Sequence, residues 1–280
     1  MTIRTSPDQV PRLRLLDGNR IPQLGLGVFQ VPPEQTPAVV LHALETGYRS
    51  IDTAAAYDNE REVGEALRRS GLAREEVFIT TKLWNDQQGR ESAPGALRRS
   101  LERLGLDYVD LYLIHWPAPG QDRYLESWEA LCELRAEGLT RSIGVSNFLP
   151  QHLARIIDAT GVVPVLNQIE CHPRLQQRDL RAHHAARGMM TEAWSPLGRG
   201  RLLAEETIVG LARAHRRTPA QVILRWHLQL GNIAIPKSVT PERIEENLRV
   251  FDFELSAEGV RAIERLARGE RTGPDPATFG

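Results

Sequence analysis

Residues 47–64 read GYRSIDTAAAYDNEREVG, and the reading of this stretch decides the fold. After Gly47 a short apolar step through Ser50 and Ile51 runs into a carboxylate, Asp52. Three alanines (Ala54, Ala55 and Ala56) lead to the phenol of Tyr57, and a helical run with Glu60, Glu62 and Val63 follows. Two later segments repeat the layout. Val77-Phe-Ile-Thr-Thr runs into Lys82, and Val109-Asp-Leu-Tyr-Leu-Ile runs into His115. On a parallel barrel, neighbouring strands present their C-terminal ends at one mouth. Asp52, Tyr57, Lys82 and His115 are therefore expected to converge there.

Outward from this stretch, strand and helix signals alternate. Upstream, Arg12–Leu16 and Arg20–Ile21 flank Asp17-Gly18-Asn19, a turn of residues that tolerate positive φ, which predicts a β-hairpin. Leu24–Val28 reads as the first barrel strand and Thr36–Thr46 as the first helix, stopped by Gly47. Further strands are expected over 48–51, 77–81, 108–114, 140–145, 165–168, 189–193 and 232–235. Helices are expected over 60–69, 90–104, 124–135, 150–159, 175–187, 204–215, 219–229 and 242–248. A last amphipathic helix over 256–267 has Ser256 as its N-cap. The 108–114 run is apolar almost throughout, as a strand covered on both faces requires. Eight βα units of roughly 30 residues predict an α/β fold, a (β/α)8 TIM barrel with an N-terminal β-hairpin and an extra C-terminal helix. A single domain over 1–280 is expected, with 1–11 as a frayed arm and 268–280 as an irregular tail near the mouth of the site.

Composition excludes several classes. The 35 basic and 36 acidic residues are dispersed and give a net charge of −1, so no nucleic-acid face is predicted. No apolar run approaches the roughly 20 residues of a membrane span. Cys132 and Cys171 are the only cysteines, and no signal peptide is evident, which predicts reduced thiols and a cytoplasmic location. His172 and the His183-His184 pair lack a ligand constellation, so no metal is expected.

Three separated segments carry a specific resemblance: 47–64, GALRRSLERLGLDYVDLYLIHWP at 95–117, and IPKSVTPERIEEN at 235–247. With the lysine-bearing strand end between the first two, the chain resembles an aldo-keto reductase over nearly its whole length. Within that family it is most similar to bacterial reductases of the 2,5-diketo-D-gluconate reductase type. The resemblance implies a monomer that reduces small-molecule aldehydes and ketones with NADPH in preference to NADH. It implies Tyr57 as general acid, assisted by Asp52, Lys82 and His115.

A free phenol titrates near ~10, so the neighbouring Lys82 ammonium is expected to lower it. His115 is expected to donate to the carbonyl oxygen. By the same resemblance, Ser146, Asn147 and Gln168 hold the nicotinamide amide, and Trp194 stacks on the ring where many relatives have tyrosine. Ser195, Leu197 and Gly198 carry the pyrophosphate through backbone N–H groups. Lys237, Ser238 and Arg243 suit a 2′-phosphate, and Glu246 and Asn247 contact adenine. Phe29, Trp84, Trp116 and Phe279 are candidate pocket walls.

Three other chemistries compete. Lys82 alone fits a Schiff-base aldolase. Glu170 and Glu192 suggest a glycosidase carboxylate pair on a barrel. A slow, nucleotide-sensing regulatory subunit is a use of the same barrel that the family resemblance also allows.

Overall fold

The computed structural model describes residues 10–280. Strands β1 (Arg12–Arg14) and β2 (Arg20–Pro22) form the antiparallel hairpin, pairing Leu13 with Ile21. Eight parallel strands follow: β3 (Leu26–Gly27), β4 (Ser50–Asp52), β5 (Phe78–Leu83), β6 (Val109–Ile114), β7 (Thr140–Ser146), β8 (Leu166–Glu170), β9 (Met190–Trp194) and β10 (Ile233–Ala234). Each pairs with its neighbour in chain order. The sheet closes on itself between β10 and the entry to β3. Ala234 N–H donates to the Gln23 carbonyl (3.1 Å), Gly25 N–H to the Ala234 carbonyl (3.0 Å) and Gly27 N–H to the Pro236 carbonyl (3.2 Å).

The helices between strands are α1 (Thr36–Thr46), α2 (Glu60–Ser70), α3 (Ser92–Leu104), α4 (Tyr124–Ala136), α5 (Pro150–Thr160), α6 (Arg178–Ala185), α7 (Glu206–His215), α8 (Pro219–Gln229) and α9 (Pro241–Leu248). Helix α10 (Ala257–Glu264) is the extra C-terminal one, and Ser256 caps it by accepting from Gly259 N–H at 3.1 Å. Helix α8 opens on a reciprocal box in which Gln221 N–H donates to Thr218 Oγ1 (3.3 Å) and Thr218 N–H to Gln221 Oε1 (3.0 Å). Helix α1 ends at Gly47, whose φ of 122° turns the chain into β4.

Two apolar layers position the mouth. The larger core fills the space between strands and helices, with Ile51, Ile79, Tyr112 and Val145 meeting Val40, Leu97 and Trp128. A second cluster lies inside the barrel toward its N-terminal end. There the hairpin's Leu15 and Ile21 pack on Phe78, Leu111, Leu113, Leu166 and Ile233, so the hairpin plugs the bottom. The opposite, C-terminal mouth stays open as a cavity. Asp110, the one charge in the β6 run, is matched by Arg74 at 2.7 Å and by Ile79 N–H at 2.9 Å.

Some expectations shift. Helix α6 starts at Arg178 rather than 175, because His172 and Leu175 exchange backbone hydrogen bonds (3.1 and 2.8 Å) in a tight turn and Gln177 has φ of 50°. Of the arm expected over 1–11, residues 1–9 lie outside the described residues. Val10 is not frayed: it is buried in the main core, and the Pro11 carbonyl accepts from Gln23 N–H at 2.8 Å. Residues 268–280 carry no regular structure. Cys132 and Cys171 are both free. Among the described residues no helix is long and apolar enough to cross a membrane.

Candidate active site

The strand C-termini surround a cavity of about 840 Å³. Asp52 is the last residue of β4, Lys82 the last but one of β5, and His115 follows β6 directly. Tyr57 ends a single 3-10 turn, Ala55–Tyr57, whose small alanines let the loop fold tightly. Asn59 fixes that loop to the exit of β3: its amide donates to the Val28 carbonyl (3.0 Å) while its oxygen accepts from Thr53 (2.8 Å).

Lys82 is wholly buried. Its ammonium donates to Asp52 Oδ1 (2.6 Å), the Thr53 carbonyl (2.9 Å) and the Tyr57 hydroxyl (3.4 Å). Burial works to lower the Lys82 pKa, but Asp52 and Tyr57 more than offset it, and the amine is held charged above its ordinary value. A Schiff base needs a neutral amine, so this environment opposes the aldolase reading.

The Tyr57 phenol differs from the sequence expectation. Lys82 does pull its pKa down, yet burial is the larger influence and Asp52 adds to it, so the phenol is pushed up to about 12. In this state Tyr57 is a protonated donor. His115 is driven well below the ordinary imidazole range, first by burial and then by Lys82, and so is neutral. Its Nδ1 is buried without a partner. An orphaned acceptor is cheaper than an orphaned donor, which favours the proton on Nε2. Aromatic side chains enclose the pair: Phe29 and Trp84 lie 5.0 and 5.1 Å, centroid to centroid, from Tyr57 and His115. Trp116 and Phe279 pack in a tilted arrangement, 4.6 Å between centroids, beside them.

The other half of the cavity is polar. Asn147 donates to the His115 carbonyl and to Ser146 Oγ, both at 3.0 Å, and accepts from the Trp194 indole at 2.8 Å. Ser146 Oγ in turn donates to the Gln168 carbonyl at 2.8 Å. Gln168 Nε2 donates to Asp52 Oδ2 and to Glu192 Oε2, both at 2.8 Å. The loop after β9 contains four left-handed residues, Ser195, Gly198, Arg199 and Gly200. Gly198 N–H closes that turn on the Ser195 carbonyl at 2.9 Å.

At the far end lie Lys237 and Arg243, both exposed and, among the described residues, in no ion pair. Ser238 Oγ accepts from Thr240 N–H at 3.1 Å and shapes the entry to α9. Glu246 and Asn247 line the same end, and Glu246 accepts from Thr218 Oγ1 at 2.6 Å.

The residues that sequence assigned to the acid–base group, the cofactor and the pocket walls thus line one cavity, except Lys82, which lies beneath it, and Gly198, which sits between the lining residues Leu197 and Arg199 on its rim. Sequence reasoning passed over Arg199, an exposed cation on that rim. Its signal was a charged residue between two glycines, Gly198-Arg199-Gly200, just past a strand end. The glycosidase pair does not assemble. Glu170 takes Thr272 N–H (2.6 Å), Thr272 Oγ1 (2.5 Å) and Gly273 N–H (3.2 Å), anchoring the C-terminal tail that carries Phe279 to the mouth. Glu192 is fully buried and does not line the cavity. Among the described residues no cluster of three or more His, Cys, Asp or Glu side chains is arranged to hold a metal.

Comparison with known proteins is consistent across sequence and structure. The sequence model of the Aldo/keto reductase family matches residues 23–268. An aldo-keto reductase of Mycolicibacterium smegmatis is 56% identical over 269 residues, covering 96% of this chain and 98% of its own. The methylglyoxal reductase DkgA of Yersinia pestis is 55% identical over 272 residues, covering 96% of this chain and 98% of its own. The crystal structure of a Gox0644 mutant in complex with NADPH superposes with a TM-score of 0.93 at 51% identity, covering 97% of this chain and 99% of that one.

Proposed function

The chain belongs to the aldo/keto reductase family, and from that membership we propose that it reduces small aldehydes and ketones to alcohols with NADPH. The observation that carries this reading is the wholly buried Lys82 ammonium, set between Asp52 and the Tyr57 hydroxyl at the floor of an aromatic cavity. The relative named methylglyoxal reductase and the NADPH-bound neighbour support it.

The cavity fits such a dinucleotide by the chemistry of its walls. Trp194 offers a flat face, Gln168 Oε1 and the second lone pair of Asn147 Oδ1 are free acceptors for a carboxamide, and Lys237, Ser238 and Arg243 suit a 2′-phosphate. Arg199 and the N–H groups of Ser195 and Leu197 suit the pyrophosphate. When bound, NADPH supplies the hydride.

The chain's own groups do the rest. Tyr57 gives its proton to the carbonyl oxygen, and the Lys82 ammonium stabilises the phenolate left behind. Neutral His115, donating from Nε2, orients that oxygen and stabilises the charge developing on it. Phe29, Trp84, Trp116 and Phe279 exclude water and offer few fixed polar partners, which suits several small carbonyls, dicarbonyls and keto-sugars among them.

The test is consumption of NADPH, and separately of NADH, with methylglyoxal, phenylglyoxal, 2,5-diketo-gluconate, an aromatic aldehyde and a simple ketone. Turnover with one or more, faster with NADPH, is the expected result. Tight NADPH binding without turnover of any would replace the reductase by a nucleotide-sensing subunit. The cofactor preference has its own check. Lys237→Ala combined with Arg243→Ala is expected to weaken NADPH about a hundredfold, and NADH only slightly, because each exposed charge-assisted contact contributes on the order of 1–2 kcal/mol. Equal losses for the two would remove the 2′-phosphate from this end of the cavity.

A further inference from the structure

Gln168 occupies an unusual position: its single amino group faces two buried carboxyls. Asp52 comes from β4 and Glu192 from β9, where it stands opposite Gln168 in register. Both lie at 2.8 Å from the same Nε2. Asp52, paired with the Lys82 ammonium, accepts and would repel an amide oxygen, so the amide turns Nε2 inward and leaves Oε1 toward the cavity. Three charged or titratable groups bear on Glu192. These are Asp52, Lys82 and, more weakly, Tyr57, whose own proton affinity rises with the Glu192 charge. Its partner on β10, Ile233, is apolar.

We propose that Glu192 is a positioning residue of this site: together with Asp52 it anchors Gln168 so that Oε1 faces the bound carboxamide, and as a second acid it sets the charge beneath Lys82 and Tyr57. The inference rests on the reductase reading for the identity of that carboxamide. One ammonium cannot balance two buried carboxylates, so one proton stays, and it stays on Glu192, whose Oε1 has no partner at all. Burial first, and then Asp52, push its pKa up to about 8, while Gln168 and Lys82 work in the other direction. At neutral pH the carboxyl is neutral. A positively charged, oxidised nicotinamide above it favours the ionised form.

Two variants test this. Glu192→Gln keeps an acceptor for Gln168 and abolishes the ionisation, whereas Glu192→Leu removes both. The first readout is thermal stability of the cofactor-free protein. The folded-state value lies above the unfolded glutamate value of about 4.3, so stability falls as pH rises from there to about 8. Glu192→Gln is expected to lose that slope and to overtake the wild type in the upper part of the window. Parallel curves for the two proteins overturn the second acid.

The next readout is cofactor affinity. The ratio of NADP+ to NADPH affinity is expected to rise about fivefold through pH ~8 in the wild type and to stay level in Glu192→Gln. A level ratio in both likewise overturns it. Folded Glu192→Leu is expected to bind NADPH about fivefold more weakly, and unchanged binding overturns the anchoring. Inactivity of the wild type toward every carbonyl overturns the reductase reading instead, and the cofactor-free stability curves still judge Glu192.

Discussion

Replacing Tyr57 by phenylalanine is expected to lower carbonyl reduction about a thousandfold, the usual scale for a lost general acid, while NADPH binding stays within about twofold. The ring remains in place, because Phe29 at 5.0 Å and His115 at 5.6 Å pack on its faces and edge, not on its hydroxyl. Lys82 keeps its two shorter contacts, to Asp52 and to the Thr53 carbonyl, so stability should change by no more than about 1 kcal/mol. Single-turnover reduction and a thermal midpoint on the same preparation separate these effects. A variant that still reduces within tenfold of the wild-type rate would take the proton donor away from Tyr57.

The raised phenol gives that experiment a direction in pH. At about 12, Tyr57 stays protonated across the working range, so the forward reduction should not lose its acid as pH rises toward 10. Oxidation of an alcohol needs the phenolate and is expected to accelerate with pH over the same interval. The lysine thus offsets part of the penalty of burial without reversing it.

The strand ends were readable because each ionisable residue closes an apolar run. Asp52, Lys82 and His115 advertise themselves by breaking a hydrophobic pattern, and a barrel gives such breaks a common meeting place. Tyr57 was readable for its position after three alanines, where little else can fill the loop. The net direction of its titration was not, since that depends on how deeply the ring is covered by residues such as Phe29 and His115, far away in the chain. Gln168 shows the same limit. Its contact to Asp52 spans 116 positions, and nothing local says which end of the amide turns inward. Glu170 and Glu192 looked alike in sequence, each at or near a strand end. The barrel turns one toward the tail and the other into the interior. The late start of α6 has a local cause, a turn of mutual His172–Leu175 hydrogen bonds, that helical periodicity does not register.

Lys82→Met carries the largest expected loss of stability. Methionine matches the length of the lysine stem and leaves little void, so the effect isolates the charge. Asp52 loses its 2.6 Å partner and, buried at the cavity wall, is left with the Gln168 amide as its remaining side-chain donor; the Thr53 carbonyl loses its Lys82 donor too. Breaking a buried pair from one side costs about 3–5 kcal/mol, which for a chain of this size lowers the thermal midpoint by roughly 10 °C. The decisive comparison is the double variant with Asp52→Asn. Removing both charges eliminates the stranded carboxylate, so the double variant should recover most of the stability lost by Lys82→Met alone and none of the activity. Stability and catalysis would then separate on the same pair of side chains. If instead the double variant melts no higher than Lys82→Met, the loss came from packing around the lysine stem and not from an uncompensated charge. If Lys82→Met melts with the wild type, the buried ammonium contributes nothing to the fold, and only its pull on the Tyr57 phenol remains to explain its place under the cavity.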